Sequence, residues 1–185
     1  MQDPVVISWQ KVYEDLAFSA EFAKSSAPAV KSGRWTMPVL RGITCNAIIS
    51  AFRRHGVAVY LYEGGNDLDT TVTNLRDPNK TGAYAISFVS NAEADEEYEK
   101  FSADELSRWG IQGTTLLEYL LLNLGYFLAT GNLLDQETTT LCSGSRTPGG
   151  HVPTGSCPRR KELHISWVGV NDANPRMRTR AKVAA

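Results

Sequence analysis

The sequence predicts an α+β fold, and three observations carry that prediction. The stretch Thr114–Gly131, TTLLEYLLLNLGYFLATG, is interrupted between Leu116 and Ala129 only by Glu118, Asn123 and Gly125. A helix apolar on nearly every side has to be covered on nearly every side, which places this one at the centre. Three other stretches, Val57–Tyr62 (VAVYLY), Ala83–Val89 (AYAISFV) and Glu162–Val168 (ELHISWV), are β-branched, aromatic or alternating, as strands are. After Gly131 the pattern changes from helices to strands and loops. The expected architecture is one domain over residues 1–185. About four helices pack on a four- to five-stranded antiparallel or mixed sheet, with the Leu-rich helix near 115–130 against its inner face. At 185 residues, 42% apolar and 21% charged, the chain is long enough for one proper core.

Taken in order, Ser8 is placed to cap a helix through about Lys24, with Trp9, Val12, Tyr13, Leu16, Ala20 and Ala23 at helical spacing and Phe18 and Phe22 on a second side. Ser25 to Gly42 reads as a connector whose Trp35, Met37, Val39 and Leu40 pack against the body. Thr44 caps the next helix, through about His55. Arg53, Arg54 and His55 suit the negative end of its dipole, and Gly56 stops it. Glu63 to Gly82 is turn-rich, with a short helix or bent strand at Leu68–Leu75. Asn91 to Lys100 is an acidic helix or turn, its Glu93, Asp95, Glu96, Glu97 and Glu99 read as a solvated face. Ser102 with Glu105, and Thr115 with Glu118, have capping-box spacing, and Gly110 and Gly131 end the two helices. Gly125, costly in mid-helix by about 1 kcal/mol relative to Ala, marks close approach by another element. Thr138–Cys142 reads as a strand, and Ser143 to Pro158 as a loop.

The near-neutral total, a formal charge of -1, hides a segregation. Lys and Arg outnumber Asp and Glu 7 to 4 in residues 1–62, are outnumbered 4 to 14 in residues 63–140, and lead 8 to 2 in residues 141–185. The simplest reading folds the basic tail back over the acidic middle; the other makes the tail an anion-binding face. If extended, the tail puts Arg176, Arg178, Arg180 and Lys182 on one side. MQDPVVISWQ lacks the basic and apolar regions of a secretory signal, and no window reaches the roughly 18–20 apolar residues of a membrane span. Three cysteines, an odd number, argue against a disulfide framework. A cytoplasmic protein with no membrane partner is expected.

Chemically useful groups are densest from Cys142 to His164: Cys142, Ser143, Ser145, Arg146, His151, Cys157 and His164. Read as zinc ligands they lack the close pairs of structural sites, and no cofactor is expected. A Cys142–Cys157 disulfide would close a loop across the ends of a hairpin. The leading reading is a free, buried Cys142 with Cys157 in a surface loop. Cys142, Ser143 or Ser145 with His151 or His164 as base would make a hydrolase, but the G-x-S-x-G elbow is absent. Ser143-Gly144-Ser145-Arg146 with Gly149-Gly150 has the composition of an anion cradle, although no phosphate-loop motif is present. Glu118 is simplest as a cap, and if buried becomes a candidate site.

These readings combine into an expected function. The chain is a non-catalytic binding or interaction protein for another protein or an anionic ligand. It works through the 143–158 loop and the basic C-terminal segment, with Ser143, Ser145, Arg146, His151, His164, Arg176, Arg178 and Arg180 as ligand-binding candidates. A phosphate- or nucleic-acid-binding protein is the alternative, nucleic acid being disfavoured by a pI near 6.3. The hydrolase is the second alternative.

Overall fold

The computed structural model describes residues 5–25, 32–62 and 67–183. In chain order come α1 (Trp9–Asp15), α2 (Ser19–Ala23), β1 (Arg34–Val39), α3 (Cys45–Arg54) and β2 (Ala58–Leu61). Next are α4 (Leu68–Thr71), β3 (Thr73–Asn74), α5 (Pro78–Thr81), β4 (Tyr84–Val89), a 3-10 turn at Glu96–Tyr98 and α6 (Ala103–Arg108). The rest holds α7 (Leu116–Thr130), β5 (Thr139–Leu141), β6 (Ser145–Arg146), β7 (Val152–Arg159), β8 (Glu162–Val168) and β9 (Met177–Arg178). Seven α-helices among the described residues exceed the expected four, because one predicted helix splits and α4 and α5 are single capped turns. Parts of the expected connector at 26–31 and the turn at 63–66 lie outside the described residues.

A mixed five-stranded sheet, in the order β2-β8-β7-β5-β9, carries the fold. Its outer pairs β2–β8 and β5–β9 are parallel, and its inner pairs β8–β7 and β7–β5 antiparallel. Helix α7 lies on this sheet as expected. Both capping-box bonds of Thr115 and Glu118 are formed, and Gly131 closes the helix in the left-handed region at φ 76°. At Gly125 a Cβ would stand 2.8 Å from Ile7 and 3.1 Å from Trp9, so the N-terminal segment is the element that approaches. On the sheet side, Gly155 of β7 leaves room for the buried Tyr119 ring: a Cβ there would fall 2.0 Å from a ring carbon.

The helix expected over Ser8–Lys24 breaks at Ala17, which adopts φ 62°. Residues nine apart on one straight helix face opposite sides. The break lets the Phe22 ring stack on Tyr13, with centroids 5.3 Å apart. The connector from Ser25 to Gly42 contains strand β1, paired antiparallel with β4 in its own two-stranded ribbon, Trp35 opposite Phe88 and Pro38 opposite Ala85. Pro38 costs no ladder bond on an edge strand. The free edge is covered by α1: Trp9 Nε1 donates to the Thr36 carbonyl at 2.7 Å, and the Tyr13 hydroxyl donates to that of Pro38.

Two more expectations are corrected. Ser143–Pro158 is mostly β6 and β7, and Cys157, 0% exposed, is buried like Cys142 rather than lying in a surface loop. The two thiols are free. Register explains why, since the Cys142 N–H donates to the Pro153 carbonyl whereas that of Cys157 donates to Asp135. The acidic 91–100 segment is also not uniformly solvated. The Glu93 carboxylate accepts from the N–H groups of Gln136, Glu137 and Thr138 and from the Thr138 hydroxyl, at 2.7–3.2 Å. No helix among the described residues is long and apolar enough to cross a membrane.

Two outcomes follow. Gly155→Ala forces a methyl into the Tyr119 ring and is expected to cost about 3 kcal/mol in urea unfolding, whereas wild-type stability would show that the ring moves aside freely. At Glu93, burial raises the pKa but the four hydrogen bonds outweigh it, so the carboxyl sits below its ordinary value of 4.5. Its contribution is therefore full above about pH 4.5 and lost as pH falls through the lower folded value. Glu93→Gln is expected to cost about 1–2 kcal/mol at neutral pH and to flatten the acid limb of the stability curve. An unchanged limb would contradict this.

Candidate functional site

The first turn of α7 is where separate stretches of chain converge. Glu118 is 0% exposed, and a buried carboxylate persists only where its oxygens are met by donors. Arg76 meets it with two parallel bonds, Nε to Oε1 and Nη2 to Oε2, both 2.7 Å. The Tyr84 hydroxyl donates to Oε1 at 2.8 Å and the Thr115 N–H to Oε2 at 2.8 Å. Burial, and then the charge and hydrogen bond of Glu118, push the Tyr84 phenol far above its ordinary value. Burial acts to lower the Arg76 pKa, but the hydrogen bond and charge of Glu118 outweigh it, and the net shift is upward. Glu118 is thus both a cap and the acceptor of a buried ion pair.

The other free N–H groups of this turn are taken as well. The Leu116 N–H donates to Ser145 Oγ at 2.8 Å, and Ser145 Oγ donates to Asn74 Oδ1 at 2.7 Å. Asn74 Oδ1 also accepts from the Leu117 N–H at 3.5 Å. The short β3–β6 ribbon, with Asn74 opposite Ser145 and Thr73 opposite Arg146, sets this up. Ser145 is therefore a buried helix-capping group. Ser143 Oγ sits 3.2 Å from Thr179 Oγ1, and the Arg76 Nη2 that binds Glu118 also donates to the Gly113 carbonyl at 2.6 Å.

Arg146 follows on the open side of this network. Its Nη1 donates to the carbonyls of Ser143 and Ser145 at 2.9 and 2.7 Å, which holds the guanidinium in place. No carboxylate pairs with it among the described residues, and burial pulls its pKa below the ordinary value. It lines a cleft of about 390 Å³ together with Arg76, Leu75, Ala103, Ile111 and Ser143. The arrangement is a fixed cation without a countercharge beside an apolar wall, which suits an anion carrying some apolar surface.

The other predicted residues do not join it. His151 is exposed in the turn before β7. His164 lies on β8, stacked on Tyr60 at 4.7 Å between centroids and 3.4 Å from Glu162. It stands four residues along β8 from Val168, the partner of Val152, about 13 Å at strand rise. Neither histidine hydrogen-bonds Cys142, Ser143 or Ser145. Burial raises both thiols, Cys157 to about 12. No cluster of three or more His, Cys, Asp or Glu among the described residues is arranged to hold a metal ion.

The tail basics do not form one face either, because the segment threads through the body. Met177 pairs with Thr139, Ala181 bridges Gly113, and the Val183 N–H donates to Ser87. Arg176 is exposed, Arg178 pairs with Glu99 at 3.2 Å, and Arg180 is fully buried, with Nη2 bonded to Asp135 and to the Ala92 carbonyl. Folding back over the acidic middle, the first of the two readings of the charge pattern, is what these contacts do. Sequence reading missed Arg76, which has no local signal. Its partner is 42 residues away.

The Arg76–Glu118 pair gives a sharp expectation. Glu118→Gln leaves a largely buried guanidinium without its counterion and is expected to cost about 3 kcal/mol in urea unfolding. The double change Arg76→Met, Glu118→Met is expected to cost less than the single one, and the reverse order would refute the assignment to charge burial. In comparison with known proteins, the chain matches no family model, no curated protein and no solved structure.

Proposed function

We propose that the protein is a non-catalytic binding protein whose cleft between α6, the Leu75–Arg76 turn and β6 takes the anionic group of its ligand through Arg146. The single observation that carries this reading is the Arg146 guanidinium, pinned by two carbonyls, facing a 390 Å³ cleft and lacking a carboxylate among the described residues. Two backbone bonds pre-position the side chain, so little rotamer entropy remains to be lost on binding. Apolar contact comes from Leu75, Ala103 and Ile111. Ser143 and Ser145 support the reading as structure-setting groups, their hydroxyls being engaged within the protein. Arg178 and Arg180 play no part in it, since Glu99 and Asp135 hold them.

The test is a titration with inorganic phosphate followed by backbone amide NMR and by thermal unfolding. Wild type is expected to show saturable shifts at residues 143–146 and a rise in Tm. Arg146→Gln is expected to lose both, and Arg146→Lys to retain part of the response. An equal response from Arg146→Gln would overturn the reading.

A further inference from the structure

The cleft at Arg146 has a neighbour. Leu75 and Arg76 also line a second hollow of about 320 Å³, with Tyr84, Ile86 and Lys182 on its wall. The two hollows lie on either side of this shared dipeptide. Leu75, 69% exposed, forms the ridge between them. Arg76 reaches under the ridge to Glu118 and Gly113, but its Nη1 makes no hydrogen bond and is not buried, so it still faces solvent. Lys182 is exposed, has no carboxylate partner among the described residues, and is held by its backbone N–H on the Gln112 carbonyl at 2.8 Å. Gln112 in turn lines the first cleft. Two cations without countercharges thus line this groove of two adjoining hollows, one cation in each, with Arg76 and the exposed Leu75 common to both.

Resting on the anion-binding reading of Arg146, we infer that this groove takes an extended acidic peptide segment. One carboxylate meets Arg146, a second meets Lys182, and an apolar side chain between them covers Leu75. Arg76 Nη1 donates to a main-chain carbonyl at the crossing. Extent argues for a chain rather than a small ion, since the two hollows, about 390 and 320 Å³, share only Leu75 and Arg76 in their linings and each holds one of the two cations. Charge count argues for a peptide rather than a nucleic acid. Two open cations satisfy two carboxylates, whereas a phosphate chain needs a run of them.

The experiment measures fluorescence anisotropy of the full chain with labelled acetyl-Glu-Ala-Leu-Ala-Ala-Glu-amide. Comparison probes carry Gln in place of one or both Glu, and hexathymidylate and inorganic phosphate complete the set. The two-acid peptide is expected to bind about tenfold more tightly than either one-acid peptide, and more weakly as salt is added. Lys182→Gln, an exposed substitution that leaves the fold intact, is expected to reduce the two-acid peptide to the one-acid level while leaving phosphate binding unchanged. No effect of Lys182→Gln, or hexathymidylate binding as tightly as the peptide, overturns the inference. If the peptides fail while phosphate still depends on Arg146, the extended occupant is wrong and the anion site stands. If phosphate binding ignores Arg146, both fall.

Discussion

The carboxylate of Glu118 is the point on which the surrounding structure depends. It is buried, and it accepts four hydrogen bonds from three separate stretches of chain: Arg76, Tyr84 and Thr115. A charge in that position is tolerated only when every donor is in place. The start of the core helix, the Leu75–Arg76 turn and the first residue of β4 are therefore positioned together. Ser145 and Asn74 take the next two N–H groups of the same turn. The side of the fold that carries Arg146 is thus built from helix capping.

What could be read in the sequence follows from the range of the interactions. Thr115 with Glu118, Ser102 with Glu105, and Gly131 act within one helical turn, and all three signals were legible. Gly125 was legible as a place of close approach, although not which element approaches. Strands β2, β4, β5 and β8 announced themselves by composition and alternation. Strand β1 did not, because Pro38 reads as a break until the ribbon edge that tolerates it is known. Strand β7 did not either, since Pro153 and Gly155 make it look like a loop, and Gly155 answers to Tyr119, more than 30 residues earlier in the chain. Arg146 was visible in its Gly- and Ser-rich setting. The pairing of Arg76 with Glu118, and of Arg180 with Asp135 across 45 residues, was not.

The segregated charge finds its explanation in the same long-range pairs. The acidic middle and basic tail meet at Glu99–Arg178 and Asp135–Arg180, and the Ala181 N–H donates to Asp95. Glu93 turns inward to hold the 136–138 loop. The two blocks thus meet at specific contacts, while Arg146, Arg160, Lys161, Arg176 and Lys182 of the basic block pair with no carboxylate among the described residues.

The threaded course of residues 176–183 also ties the burial of two carboxylates to the end of the chain. Asp135 bonds Thr138, Thr140 and Arg180, and sits with Asp95 close to that one guanidinium. Neither carboxylate can leave water until a segment 45 or more residues downstream is seated. Met177 belongs to a small separate cluster with Leu106, Leu141 and Val152, so the seating of the tail and the closing of that cluster are one event. The large cluster around α7 needs no residue beyond Trp167. The core around the Leu-rich helix is thus complete without the tail, whereas the far edge of the sheet and the two buried carboxylates share their dependence on it.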